Sequence, residues 1–349
     1  LSGLRLDDFS NILKGQKMIF KPYKYGMQGF ILHQFLICLD DTFQQSTVTE
    51  VKDFFNKHKD IKKWMIFSDY ALYDKNKPND VIVFSIVPYI LNFEEYKKIL
   101  KNLMPKDLKH TKTIGEGFVK FLNNMPILNF AFVFDKRRKL DYLNEKNIFL
   151  KWIDNAINVL EKWNEAISDG AKHYEESVKN FKVIRKELEK NSPNLSILRD
   201  INILAILTSY LATQVALTGH IDMLGWFSDR DSLLNFKNKD LSKSFAVELI
   251  HYYYHVLCIS NNLHDKPELV FGIPEKEGNM WYDDFNKIPD LIAGTLADCD
   301  FNTRQNSQEK FQKVVDDFFT NTEKIKIFKI HLSKDNIHSL RMVFNKVYI

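Results

Sequence analysis

The chain has 349 residues, 45% of them hydrophobic and 27% charged, with 49 Lys plus Arg against 45 Asp plus Glu and a net charge of +4. At roughly 100–200 residues per domain this length admits one elaborated domain or two, and 28 Phe, 14 Tyr and 5 Trp exclude a disordered polymer. Cys38, Cys258 and Cys299 are scattered and odd in number, which excludes a disulfide framework and a Cys-based zinc site and suits a cytoplasmic protein.

The first residues, Leu1-Ser-Gly-Leu-Arg5 followed by Asp7 and Asp8, lack the pattern of a signal peptide. Thr47-Val-Thr-Glu50 has capping-box spacing and predicts a short helix that runs into the basic stretch Lys57–Lys63. Residues 1–60 thus form an N-terminal accessory segment. Two β-branched and aromatic runs, Trp64 to Asp69 and Val81 to Val87, flank a turn-rich segment and predict a hairpin. A helix capped at Asn92 and a third strand, Ile127 to Phe134, complete the first part of a core over residues 61–144. From 145 to 220 the period becomes helical, with Ile148, Trp152, Ile153, Ala156, Val159, Leu160 and Trp163 at three- and four-residue spacing. The apolar run Ile201 to Leu217 carries Asn202, Thr208, Ser209, Thr213 and Gln214, so it reads as a buried helix rather than a membrane span. A second part of the core, residues 221–305, brings a strand Ile221 to Phe227, a helix Phe245 to Ile259, a strand Glu268 to Ile273, and a helix from Ile288 to Asp298 with Pro289 in its first turn. The extension 306–349 predicts a capped helix, a strand Lys324 to Leu332 and a last short helix. Strands alternating with helices predict an α/β fold, a mixed sheet flanked by helices with a large helical insertion.

The acids fall at informative places. Asp69 ends one apolar strand, Asp229 and Asp231 end another, and Asp290 opens a helix. Carboxylates that meet at strand ends repel unless divalent cations neutralise them, and a pair of Mg²⁺ or Mn²⁺ ions so held activates water for phosphodiester cleavage. The four aspartates are therefore candidate metal ligands and catalytic groups. On the closing helix Asp290, Gly294 and Asp298 share a face, where the small residue permits close approach and Asp298 is expected to be solvated.

A strand with a terminal Asp, a hairpin, a further strand with Asp, and a closing helix reading Ile-Pro-Asp-Leu-Ile-Ala-Gly resemble the ribonuclease-H-like superfamily. The chain looks most like its bacterial members that begin with an Asp-Glu-Ser-Gly-Asp strand and end with an Asp-apolar-apolar-Ala-Gly helix. The resemblance covers about Trp64 to Phe134 and Ile221 to Asp300. It implies a metal-dependent nuclease in which Asp69 is the first acid, Asp229 or Asp231 the middle one and Asp290 the helix acid. This chain departs from the pattern in continuing Asp69-Tyr-Ala-Leu-Tyr, which fits a scaffold that has lost catalysis and binds a protein partner through its helical insertion.

Three basic runs, Lys57–Lys63, Lys106–Lys112 and Lys136–Lys139, offer surfaces for a DNA or RNA backbone. Asp229-Arg-Asp231 also reads as a DxD motif, the cation clamp of a nucleotide-sugar transferase. His251 and His255 have the i, i+4 spacing of helical metal ligands, but no Glu follows the first and no third ligand is evident, so hydrogen-bonded histidines on an aromatic helix are expected.

Overall fold

The computed structural model describes residues 32–345, apart from 91–92, 137, 141–142, 167–170, 237–238, 242, 264–266, 273, 275–279 and 334–335. The opening residues, the Asn92 cap and Ile273 lie outside the described residues. Helices α1 (His33–Ser46) and α2 (Val48–Lys57) precede strands β1 (Lys63–Ala71) and β2 (Asp80–Pro88). Then come α3 (Phe93–Leu103), a 3-10 turn (Leu108–His110), α4 (Glu116–Asn124) and β3 (Leu128–Phe134). Three long helices follow: α5 (Glu145–Ala166), α6 (Ala171–Glu189) and α7 (Leu195–Ala216). The chain continues through β4 (Met223–Ser228), α8 (Ser232–Asn235), α9 (Phe245–Ser260), β5 (Glu268–Gly272) and α10 (Asp283–Asp298). It closes with the short pair β6 (Cys299–Asp300) and β7 (Gln305–Asn306), α11 (Glu309–Val314), β8 (Ile325–Leu332) and β9 (Ile337–Met342).

Two compact units result. A sheet unit comprises Asp41–Arg138, Val215–Arg230 and Pro267 onward, and a helical unit takes the described residues up to Asp40, Lys139–Gln214 and Asp231–Lys266. The helical unit therefore includes α9, which lies outside the 145–220 stretch expected to hold the insertion.

In the sheet unit the strand order is β5-β4-β1-β2-β3-β8-β9. β1, β2 and β3 form an antiparallel meander, β4 lies parallel to β1, β5 parallel to β4, and β8 parallel to β3. The fold is α/β, with the meander and flanking parallel strands of a ribonuclease-H-like sheet. Because β2 alone reverses direction among the first five neighbours, the C-terminal ends of β1, β3, β4, β5 and β8 share one edge. β2 and β3 are buried along their whole length, as central strands covered on both faces must be, and their Val, Ile and Phe content suits that burial. Met65, Phe67, Val83, Ala131 and Ile327 point to the face crossed by α10, where Phe285 stacks on Phe67 at 5.0 Å. Trp64, Phe130 and Phe328 point the other way, against Phe43 and Phe55.

Several sequence expectations need correction. The capping box does not form: Thr47 precedes α2 without a side-chain cap bond, its hydroxyl lying 3.1 Å from Ser46 Oγ, and Glu50 pairs with buried Lys326 on β8. Helix α10 begins at Asp283, so Pro289 lies inside it and Asp290 near its middle; Asp283 fixes the earlier start by accepting the Met280 N–H at 2.8 Å. Interior proline costs about 3 kcal/mol, here set against burial of its ring and of the helix face around it. Asp298 is buried, with Lys77 at 2.6 Å and bonds from Ser307 and the Gln308 N–H. Gly294 serves packing: a Cβ there would stand 2.7 Å from Leu108 Cδ2. The last element is not a helix but β9, which finds its hydrogen bonds on β8.

The helical unit holds α5, α6, α9 and most of α7. Trp152 and Phe181 meet between α5 and α6, and Phe181 packs on Phe245 and Tyr252 of α9. Helix α7 is long and apolar enough to cross a membrane, and 83% of its apolar window is buried inside the protein. Four of its polar residues are satisfied within the helix: Asn202, Thr208, Ser209 and Thr213 each donate to the carbonyl four residues back. Glu145 and Arg199 form a buried bidentate pair at 2.6 and 2.8 Å.

Candidate functional site

The last paired residues of β1 and β4 are Ser68 and Ser228, and the Asp229 N–H continues the ladder by donating to the Ser68 carbonyl at 3.3 Å. Asp69 and Asp229 are therefore neighbours at the shared C-terminal edge. Side chains alternate along a strand, so Asp69 follows Phe67 and Asp229 follows Phe227 onto the face under α10; those two rings stack at 5.4 Å. On the opposite face the Tyr70 hydroxyl ties the strand ends together, 2.8 Å from Ser68 Oγ and 2.6 Å from Ser228 Oγ.

Helix α10 brings the third acid. Burial, then the negative charges of Asp229 and Asp107, push the Asp290 carboxyl up to about 7, against the opposing pull of Lys310 and Lys109. Asp283, two turns earlier, is also raised, chiefly by burial, although its bond from Met280 opposes the shift and Asp229 adds to it. Asp229 thus acts on two carboxyl groups of one helix. Between them sits Asn286, one turn before Asp290, buried with neither side-chain amide atom hydrogen-bonded.

Asp231 does something different. It belongs to the helical unit and caps α8, its Oδ1 accepting the Leu233 N–H at 2.7 Å. The fourth aspartate thus has a local structural task of the kind Asp often has at a helix start. Asp229 Oδ1 likewise accepts the Arg230 N–H at 2.7 Å.

Of the basic runs, Lys57–Lys63 is exposed and Lys136–Lys139 is partly consumed by structure, since Arg138 is buried against Asp80 at 2.6 Å. Arg137 of that run lies outside the described residues. The Lys106–Lys112 run adjoins the acids: Lys106, His110 and Lys112 line a groove of about 280 Å³ with Leu103, Met104 and Phe118, while Lys109 acts electrostatically on Asp290. Lys310 crosses to the same loop, donating to the Leu108 and Thr111 carbonyls at 2.9 and 3.0 Å.

Among the described residues no three His, Cys, Asp or Glu side chains are grouped so as to hold a metal ion. The acids nevertheless fit a hard cation in chemistry. Mg²⁺ is commonly bound by one or two carboxylates, with waters and substrate phosphates completing the shell. Asp229 and Asp290 are such a pair, and the orphaned Asn286 amide beside them supplies further hydrogen-bonding capacity. Sequence reasoning named Asp69, Asp229, Asp290 and the Lys106–Lys112 run that contains Lys109, and did not single out Asp283, Asn286 or Lys310. The i, i+4 spacing of Asn286 and Asp290 was a readable signal; the approach of Lys310 was not.

No family model, curated protein or solved structure matches this chain.

Proposed function

We propose that the protein is a divalent-cation-dependent phosphoryl-transfer enzyme that cleaves nucleic acid, DNA or RNA, at the edge where β1 and β4 meet α10. The observation that carries the reading is Asp290: a carboxyl pushed up to about 7 by burial and by a facing aspartate is costly to keep unless something positive joins it. Asp229 and Asp290 would hold Mg²⁺ or Mn²⁺, and Asp69 would act beside Asp229 on the sheet. The cation, when bound, polarises a phosphoryl oxygen and lowers the pKa of a bound water. Lys109 and Lys310 add positive charge next to the acids, where a phosphodiester backbone would lie.

The test is cleavage of single- and double-stranded DNA and RNA with Mg²⁺ or Mn²⁺. Asp229→Asn and Asp290→Asn should each lower the rate by at least about 100-fold, in line with the loss of a transition-state charge stabiliser. Undiminished cleavage in both refutes the assignment.

A second reading, a ribonuclease-H-like scaffold that binds without catalysing, is favoured by the Tyr-Ala-Leu-Tyr that follows Asp69 and by the lack of a three-ligand group among the described residues. Calorimetric titration with Mn²⁺ separates the two. A scaffold takes up no ion that Asp229→Asn removes. The transferase reading of Asp229 and Asp231 has less support, because Asp231 spends a carboxylate oxygen on the α8 cap.

A further inference from the structure

The helical unit brings together three imidazoles. His251 and His255 lie one turn apart on α9, with their Nε2 atoms 3.2 Å apart. His173 of α6 supplies the third, its Nε2 3.3 Å from Nδ1 of His251. All three are partly buried, beside Trp163 and Tyr174.

The two α9 rings are not arranged end to end. Their centroids are 4.4 Å apart with the planes inclined by 57°, closer than two rings meeting in line across a 3.2 Å Nε2–Nε2 contact would be. Two nitrogens bound to one tetrahedral ion at 2.0–2.1 Å are about 3.3 Å apart. The observed 3.2 Å fits that spacing as well as it fits the N–H···N hydrogen bond expected of these histidines. A metal-bound imidazole also orients itself by donating its other N–H to an outer partner. With an ion on Nε2, the His251 proton must sit on Nδ1, where His173 Nε2 is positioned to accept it.

We propose that His251 and His255 form a two-imidazole site for a borderline transition-metal ion such as Zn²⁺, Ni²⁺ or Cu²⁺, with His173 as the positioning residue and water in the remaining coordination positions. The ligand class is set by neutral imidazole nitrogen, which selects these ions over Mg²⁺. The site is independent of the carboxylate edge in the sheet unit. It uses two first-sphere ligands, so it is consistent with the lack of a three-residue group among the described residues.

Titration of the Asp290→Asn full chain, in which the proposed carboxylate site is removed, with Zn²⁺ and Ni²⁺ should give saturable 1:1 binding that a further His251→Ala or His255→Ala abolishes. His173→Gln should weaken affinity by about 10–100-fold without changing stoichiometry. His331→Ala, which removes an imidazole paired with Asp135 at 2.5 Å on β8, should leave that binding unchanged. Nitrogen hyperfine coupling in the Cu²⁺ electron paramagnetic resonance spectrum of the unsubstituted protein provides a measurement that needs no variant, and two coupled imidazoles are expected. Absence of saturable binding, an oxygen-only Cu²⁺ spectrum, or loss of binding in His331→Ala but not in His251→Ala would overturn the proposal.

Discussion

Two carboxyl groups, buried Glu145 in the helical unit and half-buried Asp290 in the sheet unit, are treated in opposite ways. Glu145 in the helical unit receives two hydrogen bonds from Arg199 and sits in a neutralised pair. Asp290 in the sheet unit faces another aspartate, and its lysine neighbours do not hold its carboxyl at the ordinary value. A paired carboxylate needs nothing from outside. A carboxyl held against a like charge is a standing cost, which is why such groups concentrate where a ligand or a proton is to be taken up.

This contrast can be broken from either side. The largest effect is expected at the neutralised pair: Arg199→Met leaves Glu145 buried without its partner and should cost about 3–5 kcal/mol, read from denaturant unfolding. The double variant Glu145→Leu/Arg199→Met should recover most of that loss, because it removes the charge together with its partner. If the single variant is neutral, Glu145 is not held as a buried charge.

At the unpaired acid the sign reverses. The folded carboxyl at about 7 binds its proton more tightly than an unfolded one at 3.8, so the native state is not penalised below pH 4 and loses stability as pH rises from about 4 to 7. Asp290→Asn removes that loss. It should be nearly neutral at pH 4 and stabilising at pH 8, by an amount on the order of 4 kcal/mol, while lowering the proposed cleavage. A variant less stable than the unsubstituted protein at pH 8 would show that the carboxylate is already satisfied.

The smallest effect sharpens the geometry around that acid. Tyr70→Phe deletes the hydroxyl that joins Ser68 to Ser228 and should cost about 1 kcal/mol. Its readout is a reduced rate at the β1–β4 edge with the unfolding transition only slightly moved, since Tyr70 lies on the face away from Asp69 and Asp229. A rate unchanged by this loss would mean that the strand ends keep their spacing without the bridge.

Much of the architecture was legible along the chain because strands and helices announce themselves through local periods. The runs at Trp64, Val81 and Ile127 became β1 to β3, and the three- and four-residue spacing through Trp152 and Trp163 became α5. Asp69 and Asp229 were legible as well, since both follow apolar strand runs. Elements whose form depends on a partner were not. β9 carries little strand pattern of its own and exists because β8 offers an edge. The start of α10 was misplaced because Pro289 is a strong first-turn signal, whereas the bond between Asp283 and Met280 is set by local geometry.

What the sequence determined by itself is the class of fold and the presence of acids beside strands, both consequences of side-chain alternation and of which residues avoid water. Tertiary structure decided what each polar group does. It paired Arg138 with Asp80 and Asp298 with Lys77, assigned Asp231 to a helix cap, and set Asp290 against Asp229. It also brought His173, 78 residues away in sequence, to His251. The reason is physical: the charge state and ligand capacity of a side chain depend on neighbours within a few ångströms, and those neighbours come from segments whose distance along the chain carries no information about their distance in space.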